Sequence, residues 1–181
     1  MVLTDAFQQA NNEAEILLTR KIHNDIRSKT AGAYFAIAQQ HQYAIFLLLQ
    51  NTPPLQATAF ALLRPLIEAV IKGLWIKLVA TELQVEKTLE GKYIKSLDQM
   101  IGLISTQYKS AKSEINREDW MALCSYTHSG YLQLQNWVYS DNVEPNYSKE
   151  AIAELINLTS LASNLAFHAV FTISTEVKLT T

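Results

Sequence analysis

The chain of 181 residues is short of everything that breaks, staples or heavily charges a polypeptide. It has five glycines, four prolines and one cysteine. So few turn formers predict long elements joined by few breaks. The single cysteine, Cys124, excludes an intrachain disulfide framework and fits a reducing, cytoplasmic setting. Charged residues make up 18%, below the ~25% of ordinary soluble domains, and the net charge is only −2. That balance excludes the strong basic footprint of a nucleic-acid or membrane-surface binder and leaves room only for a small basic patch. There is no Glu-x-x-His, His-x-x-x-His or cysteine pair, so no metal centre of the di-iron bundle or zinc type is predicted. There is no glycine-rich phosphate loop, and no cofactor is predicted.

Long hydrophobic runs are also few. Tyr43–Leu49 is too short to span a bilayer. Phe60–Ala80 is long enough, but Arg64, Glu68, Lys72 and Lys77 would each be costly in lipid, so no membrane association is predicted. The first residues, MVLTDAFQQANNEAE, lack the basic and apolar regions of a signal peptide.

What is present is helical periodicity. A first helix is predicted over about Asp5–Asn24, with Phe7, Ala10, Ala14, Leu17, Leu18 and Ile22 inward, and a second over about Thr30–Gln50. Asn51-Thr52-Pro53-Pro54 breaks the chain and starts a third helix, about Pro54–Ala80, with Pro65 kinking it near Arg64. Capping-box spacings at Thr81/Gln84, Ser96/Gln99 and Asn116/Asp119 announce three shorter helices, and Gly130 is predicted to end the last of these. Tyr131–Tyr147 reads as irregular, with a short extended piece around Leu132, Leu134 and Asn136. Ser148 then caps a final helix to about Val177, with Leu155, Ile156, Leu158, Leu161, Leu165 and His168 facing in. The fold class is all-α: a single domain over residues 1–181, a bundle of about four long and two or three short helices, with strand content close to nil.

The chemistry concentrates on the third helix. Arg64, Glu68, Lys72 and Trp75 lie on one stripe of an otherwise apolar helix. Charges in such a setting need partners. Either they form an ion pair that ties the helix to a neighbour, or Arg64 holds an anion that Glu68 orients. Pro65 frees the carbonyl of Ala61, which favours an opening there. Among the four histidines, His128 sits at a helix end among hydroxyls and beside Gly130, a polar, accessible setting. His41 and His168 read as core, His23 as surface. Cys124, one turn before His128, reads as core rather than as a nucleophile. The aromatic zone Tyr126, Tyr131, Trp137, Tyr139 and Tyr147 has no basic residue between Arg117 and Lys149 and reads as packing rather than base stacking.

Two segments carry a resemblance. Leu63-Arg64-Pro65-Leu66-Ile67-Glu68-Ala69 with Trp75 resembles the LRPLxEA…W segment of a family of uncharacterised bacterial proteins. Trp120 and Leu123 leading to Tyr126-Thr127-His128-Ser129-Gly130 and Gln133 are similar to its W…L…YTHxG…Q signature. Glu144-Pro145-Asn146-Tyr147 resembles its xPxY segment. These proteins resemble the HEPN superfamily of all-α domains, many of them dimeric ribonucleases of toxin and antiphage systems. The resemblance implies a HEPN-like fold. It implies nuclease chemistry less directly, because the usual Arg four to six residues before the His falls here on Ala122, Leu123 or Cys124. Arg64 is the candidate to supply that cation from another helix.

Three functional readings follow. The first is a binding or regulatory domain, in a defence or toxin–antitoxin setting, with a pocket around Arg64, Glu68 and His128. The second is a metal-independent ribonuclease with His128 as acid–base group and Arg64 stabilising phosphorane charge. The third is an interaction module with only structural ion pairs. RNA or a nucleotide is the implied ligand, and the over-apolar Phe46–Leu49 implies a homodimer.

Overall fold

The computed structural model describes residues 2–92, 95–108, 117–138 and 143–177. It is all-α. The helices are α1 (Leu3–Leu18), α2 (Ile26–Gln50), α3 (Gln56–Leu78), α4 (Glu82–Leu89), α5 (Leu97–Tyr108), α6 (Arg117–Thr127), α7 (Tyr131–Val138) and α8 (Lys149–Phe171). Two short strands, β1 (Arg20–Ile22) and β2 (Ser174–Glu176), pair antiparallel, with Arg20 opposite Glu176 and Ile22 opposite Ser174. This ribbon cuts short the first and last predicted helices. Its partners lie more than a hundred residues apart, where no local periodicity reaches. The Arg20 guanidinium seals it, donating from Nε to Ser174 Oγ (3.1 Å) and from Nη2 to the Ser174 carbonyl (3.0 Å).

Local signals account for most of the other boundaries. α2 starts four residues earlier than predicted because the Asp25 carboxylate accepts from the Ser28 amide at 2.8 Å. That bond lowers the Asp25 pKa below its ordinary value. Thr81 and Gln84 form a complete capping box, and Ser96 and Gln99 exchange the same pair of bonds. Ser148 caps α8 by accepting from Ala151. The predicted Asn116 cap lies outside the described residues. α3 begins at Gln56, leaving Pro53 and Pro54 in the connection, and its helical assignment continues through Pro65 to Leu78.

One segment differs in kind from its prediction. Tyr131–Val138 is a helix, not irregular chain. Its alternation at Leu132, Leu134 and Asn136 carries no strand because the Ser125 hydroxyl accepts from the Leu132 amide at 2.9 Å and satisfies one of the first-turn donors. The turn before it also departs from expectation. Ser129, at φ 52°, takes the left-handed position, not Gly130. Gly130 is needed for space: a Cβ there would stand 2.8 Å from Ser125 Oγ and 3.1 Å from its Cα.

The core lies between α2, α3 and α8, and α2 against α3 is the most extensive contact. Their axes come close where Gly73 faces Phe35, an aromatic ring buried completely between them. At the far end of α3, Arg27 of α2 donates from Nη1 to the carbonyls of Ile76 and Ala80, capping orphan acceptors and opposing the helix dipole. α8 turns Leu155, Ile156, Thr159, Ser163, Ala166, Ala169 and Val170 inward. Leu158, Leu161, Leu165 and His168 therefore face out, against the predicted stripe. The helix carries two apolar stripes, and the one with small residues fits closer against α2 and α3. α1 shows a milder shift: Ala6, Ala10 and Glu13 are buried while Ala14 and Leu18 are exposed. Glu13 accepts from Gln9 Nε2 at 2.8 Å.

Replacing Gly73 with Ala is expected to destabilise the domain. The new methyl would sit 2.5 Å from Phe35 Cε1, and a buried ring cannot swing aside. A loss of about 1–3 kcal/mol in urea denaturation is predicted, with part of it recovered by pairing Gly73→Ala with Phe35→Leu.

Candidate functional site

The site is built on the middle of α3. Proline at position 65 has no N–H, so it leaves the Ala61 carbonyl without its intrahelical donor. The Thr127 hydroxyl, at the end of α6, reaches that carbonyl at 3.2 Å and also contacts its own Leu123 carbonyl at 2.9 Å. One turn earlier on α3, Gln133 Nε2 of α7 donates to the Ala57 carbonyl at 2.9 Å. The Tyr147 hydroxyl donates to Gln133 Oε1 at 3.0 Å. Burial raises the Tyr147 pKa above its ordinary value of 10.0, which keeps this donor protonated. Phe60 lies between two rings, 4.9 Å from Tyr126 and 4.8 Å from Tyr147. Polar and aromatic contacts thus seat the α6–α7 turn and the approach to α8 on one flank of α3. Of the aromatic zone, Tyr126 and Tyr147 pack on Phe60, Tyr131 is exposed, and Tyr139 lies outside the described residues.

This seating brings three predicted site residues together. Arg64 Nε donates to Glu68 Oε1 at 2.9 Å, and Arg64 Nη1 lies 2.8 Å from His128 Nε2. Lys72 Nζ meets Glu68 Oε2 at 3.3 Å. The charges are less buried than the apolar helix implied. The Arg64 and Glu68 side chains keep 20% and 24% of their exposure, and His128 is exposed. The stripe sits at the rim of the core, where solvent meets the packed face, so neither ion pair bears the full desolvation of the interior. Each i,i+4 pair contributes only about 0.3–0.5 kcal/mol. Glu68 with Lys72 has the better polarity along the helix, and Arg64 with Glu68 the worse.

A guanidinium can only donate. Its contact with His128 therefore requires the unprotonated Nε2 and a neutral ring with its proton on Nδ1. Arg64 is held by Glu68 on one side and lends a donor to His128 on the other. The arrangement is a cation aimed at an accessible imidazole, with a carboxylate fixing the cation's plane.

The other histidines stand apart. His168 is exposed, a correction to its core assignment, because α8 is rotated relative to its leucine stripe. His41 is half-buried, and burial lowers its pKa. His23 is exposed beside the ribbon. Cys124 contributes its carbonyl to the His128 amide at 3.0 Å, a helical bond, while the His128 ring turns to Arg64. Among the described residues no three His, Cys, Asp or Glu side chains gather as metal ligands. Among them also, no helix is long and apolar enough to cross a membrane. Thr127, Gln133 and Tyr147 were visible in the sequence as parts of short motifs. Their anchoring roles follow only from the carbonyls of α3 they reach, although Pro65 marks one of those carbonyls in advance.

A family model covers residues 35–181, which includes every side chain of this cluster and its anchors. The chain belongs to the DUF6988 family. It is a family of unknown function. No curated protein and no solved structure matches the chain. The match begins within α2 and takes in Arg64, Glu68, Thr127, His128, Gln133 and Tyr147, so the site lies wholly inside the family's own span.

Thr127→Val keeps the side-chain shape and removes the donor to Ala61. A loss of about 0.5–1.5 kcal/mol is predicted in chemical denaturation, the net contribution of a part-buried hydrogen bond. Thr127→Ser is predicted to retain most of the stability. NMR signals of the His128 ring should move with the valine variant and stay close to wild type with the serine.

Proposed function

We propose that this protein is a binding or regulatory helical domain, HEPN-like in kind, that takes the phosphate of RNA or of a nucleotide at Arg64, Glu68 and His128. The observation that carries this reading is the 2.8 Å approach of Arg64 Nη1 to His128 Nε2 at an exposed edge of α3. A phosphate oxygen is a better acceptor for a guanidinium than a neutral imidazole nitrogen. An arriving phosphate would draw Arg64 toward itself, with Glu68 keeping the guanidinium plane fixed. Lys72 adds a second cation to the stripe. The near-neutral chain fits recognition of one phosphate group rather than a long backbone.

The same contact supports a second reading, a metal-independent ribonuclease. In that reading Arg64 of α3 would stand in for the cation absent four to six residues before His128. In that chemistry His128 would move the proton of the attacking hydroxyl and Arg64 would stabilise the charge on the phosphorane oxygens.

A second copy of the chain is the proposed partner, and a reducing cytoplasm the proposed setting. Phe46 and Leu49 are buried within the domain, and Leu47, 46% exposed, does not by itself argue for a partner. The outward stripe of α8 does: Leu158, Leu161 and Leu165 lie at helical spacing, and Leu161 is 63% exposed. Sedimentation should show a dimer that Leu161→Glu shifts toward monomer.

The decisive measurement is titration with 5′-AMP and with a short single-stranded RNA, followed by gel analysis of the RNA. Arg64→Met is predicted to weaken binding by roughly tenfold or more, as for loss of a charge-assisted bond. His128→Ala should weaken it less. Cleavage of the RNA that His128→Ala abolishes would select the ribonuclease. Unchanged binding in Arg64→Met, with equal or higher stability in Arg64→Met/Glu68→Leu, would reduce the cluster to a structural lock.

A further inference from the structure

A second feature lies farther along α3, at Lys72 and Trp75. A cleft of about 250 Å³ opens there between α2, α3, α4 and α5, lined by Tyr34, Lys72, Trp75, Ile76, Thr88, Gly91 and Met100. Trp75, Ile76 and Met100 are buried and form its apolar depth. Gly91, at φ 68°, follows the end of α4 and has no atom within 4 Å of where its Cβ would stand. We propose that this cleft binds a small monoanion with a flat apolar body, of the class of aromatic carboxylates, with Lys72 as its anchor.

Three features select that chemistry. The lining includes two aromatic side chains and a methionine, which favour a flat apolar body with soft contacts. The volume is below the ~300–1,000 Å³ of common ligand pockets, which limits the occupant to one or two fused rings. Among the described lining residues there is no carboxylate and one ammonium, which favours an anion over a cation. A sugar-like ligand would need several hydrogen-bonding groups. The Thr88 hydroxyl already donates to the Gln84 carbonyl at 2.7 Å, which leaves little for a polyol. Lys72 is a third exposed, and its hydrogen bond to Glu68 is long at 3.3 Å. An ammonium has three donors and rotates freely, so it can keep Glu68 and still meet an incoming carboxylate. This inference shares Lys72 with the stripe proposed to take phosphate, but its cleft is lined by neither Arg64 nor His128.

The test titrates 2-naphthoate into the full chain and follows the Met100 methyl and the Trp75 indole by NMR. Saturable shifts at both are expected, with Kd on the order of 1 mM for a ligand of this size. The neutral 2-naphthamide serves as comparison. Lys72→Met should weaken naphthoate by roughly tenfold and leave the amide unchanged. Lys72→Gln is the alternative if the methionine variant misfolds. Thr88→Leu, which narrows the cleft, should weaken both probes. The proposal is overturned if Met100 shows no saturable shift up to the solubility limit. It is equally overturned if loss of the Lys72 charge leaves naphthoate unaffected or weakens both probes alike.

Discussion

The site depends on one missing hydrogen-bond donor. Pro65 interrupts the ladder of α3 and leaves the Ala61 carbonyl to find a donor outside the helix, and the Thr127 hydroxyl, shared with its own Leu123 carbonyl, reaches it. The bond is modest in energy, yet leaving that carbonyl unmade would cost more than the bond gains. The asymmetry ties the end of α6 to a defined point of α3. His128 follows Thr127 directly, and Arg64 precedes Pro65 directly. A single satisfied acceptor therefore sets the distance between the two groups whose meeting defines the cluster.

The same flank shows how a helix can be core and site together. α3 gives most of its circumference to α2, α5, α6 and α8. Its charged stripe falls at the seam where solvent enters, so the charges stay solvated enough to be cheap and ordered enough to be placed. Gln133, Tyr147 and the stacked Phe60 hold the α7 side against α3. A rigid frame under an exposed imidazole is the arrangement a binding or catalytic group needs. Structural locks are built in the same way. The difference lies in what His128 meets from solvent, which is a question of chemistry rather than of packing.

Much of this was legible in the residues. Capping side chains at Thr81, Ser96 and Ser148 act over three positions, so their signals survive in any tertiary context. The stripe Arg64–Glu68–Lys72 is likewise local, and its ion pairs formed as its spacing implied. The errors have a common cause. The β1–β2 ribbon joins the segment after α1 to the segment after α8, α7 depends on a Ser125 hydroxyl across a turn, and α8 had two apolar stripes with only one partner face. The ribbon and the face of α8 were decided by neighbours remote in sequence, and α7 by a side chain across a turn that no helical or strand period reads.

By itself, then, the sequence determined the all-α class, the long central helices, their caps and the pairing of charges one turn apart, because these rest on bonds within a few residues. It also marked the Ala61 carbonyl as needing a donor, since proline's missing N–H is a property of the residue alone. Only the tertiary structure decided which donor answered, which face of α8 turned inward, and that His128 came to rest against Arg64. Those outcomes depend on how close two helices can approach. That is governed by side-chain volumes on both surfaces, such as the absent side chain of Gly73 against Phe35, which no single stretch of sequence contains.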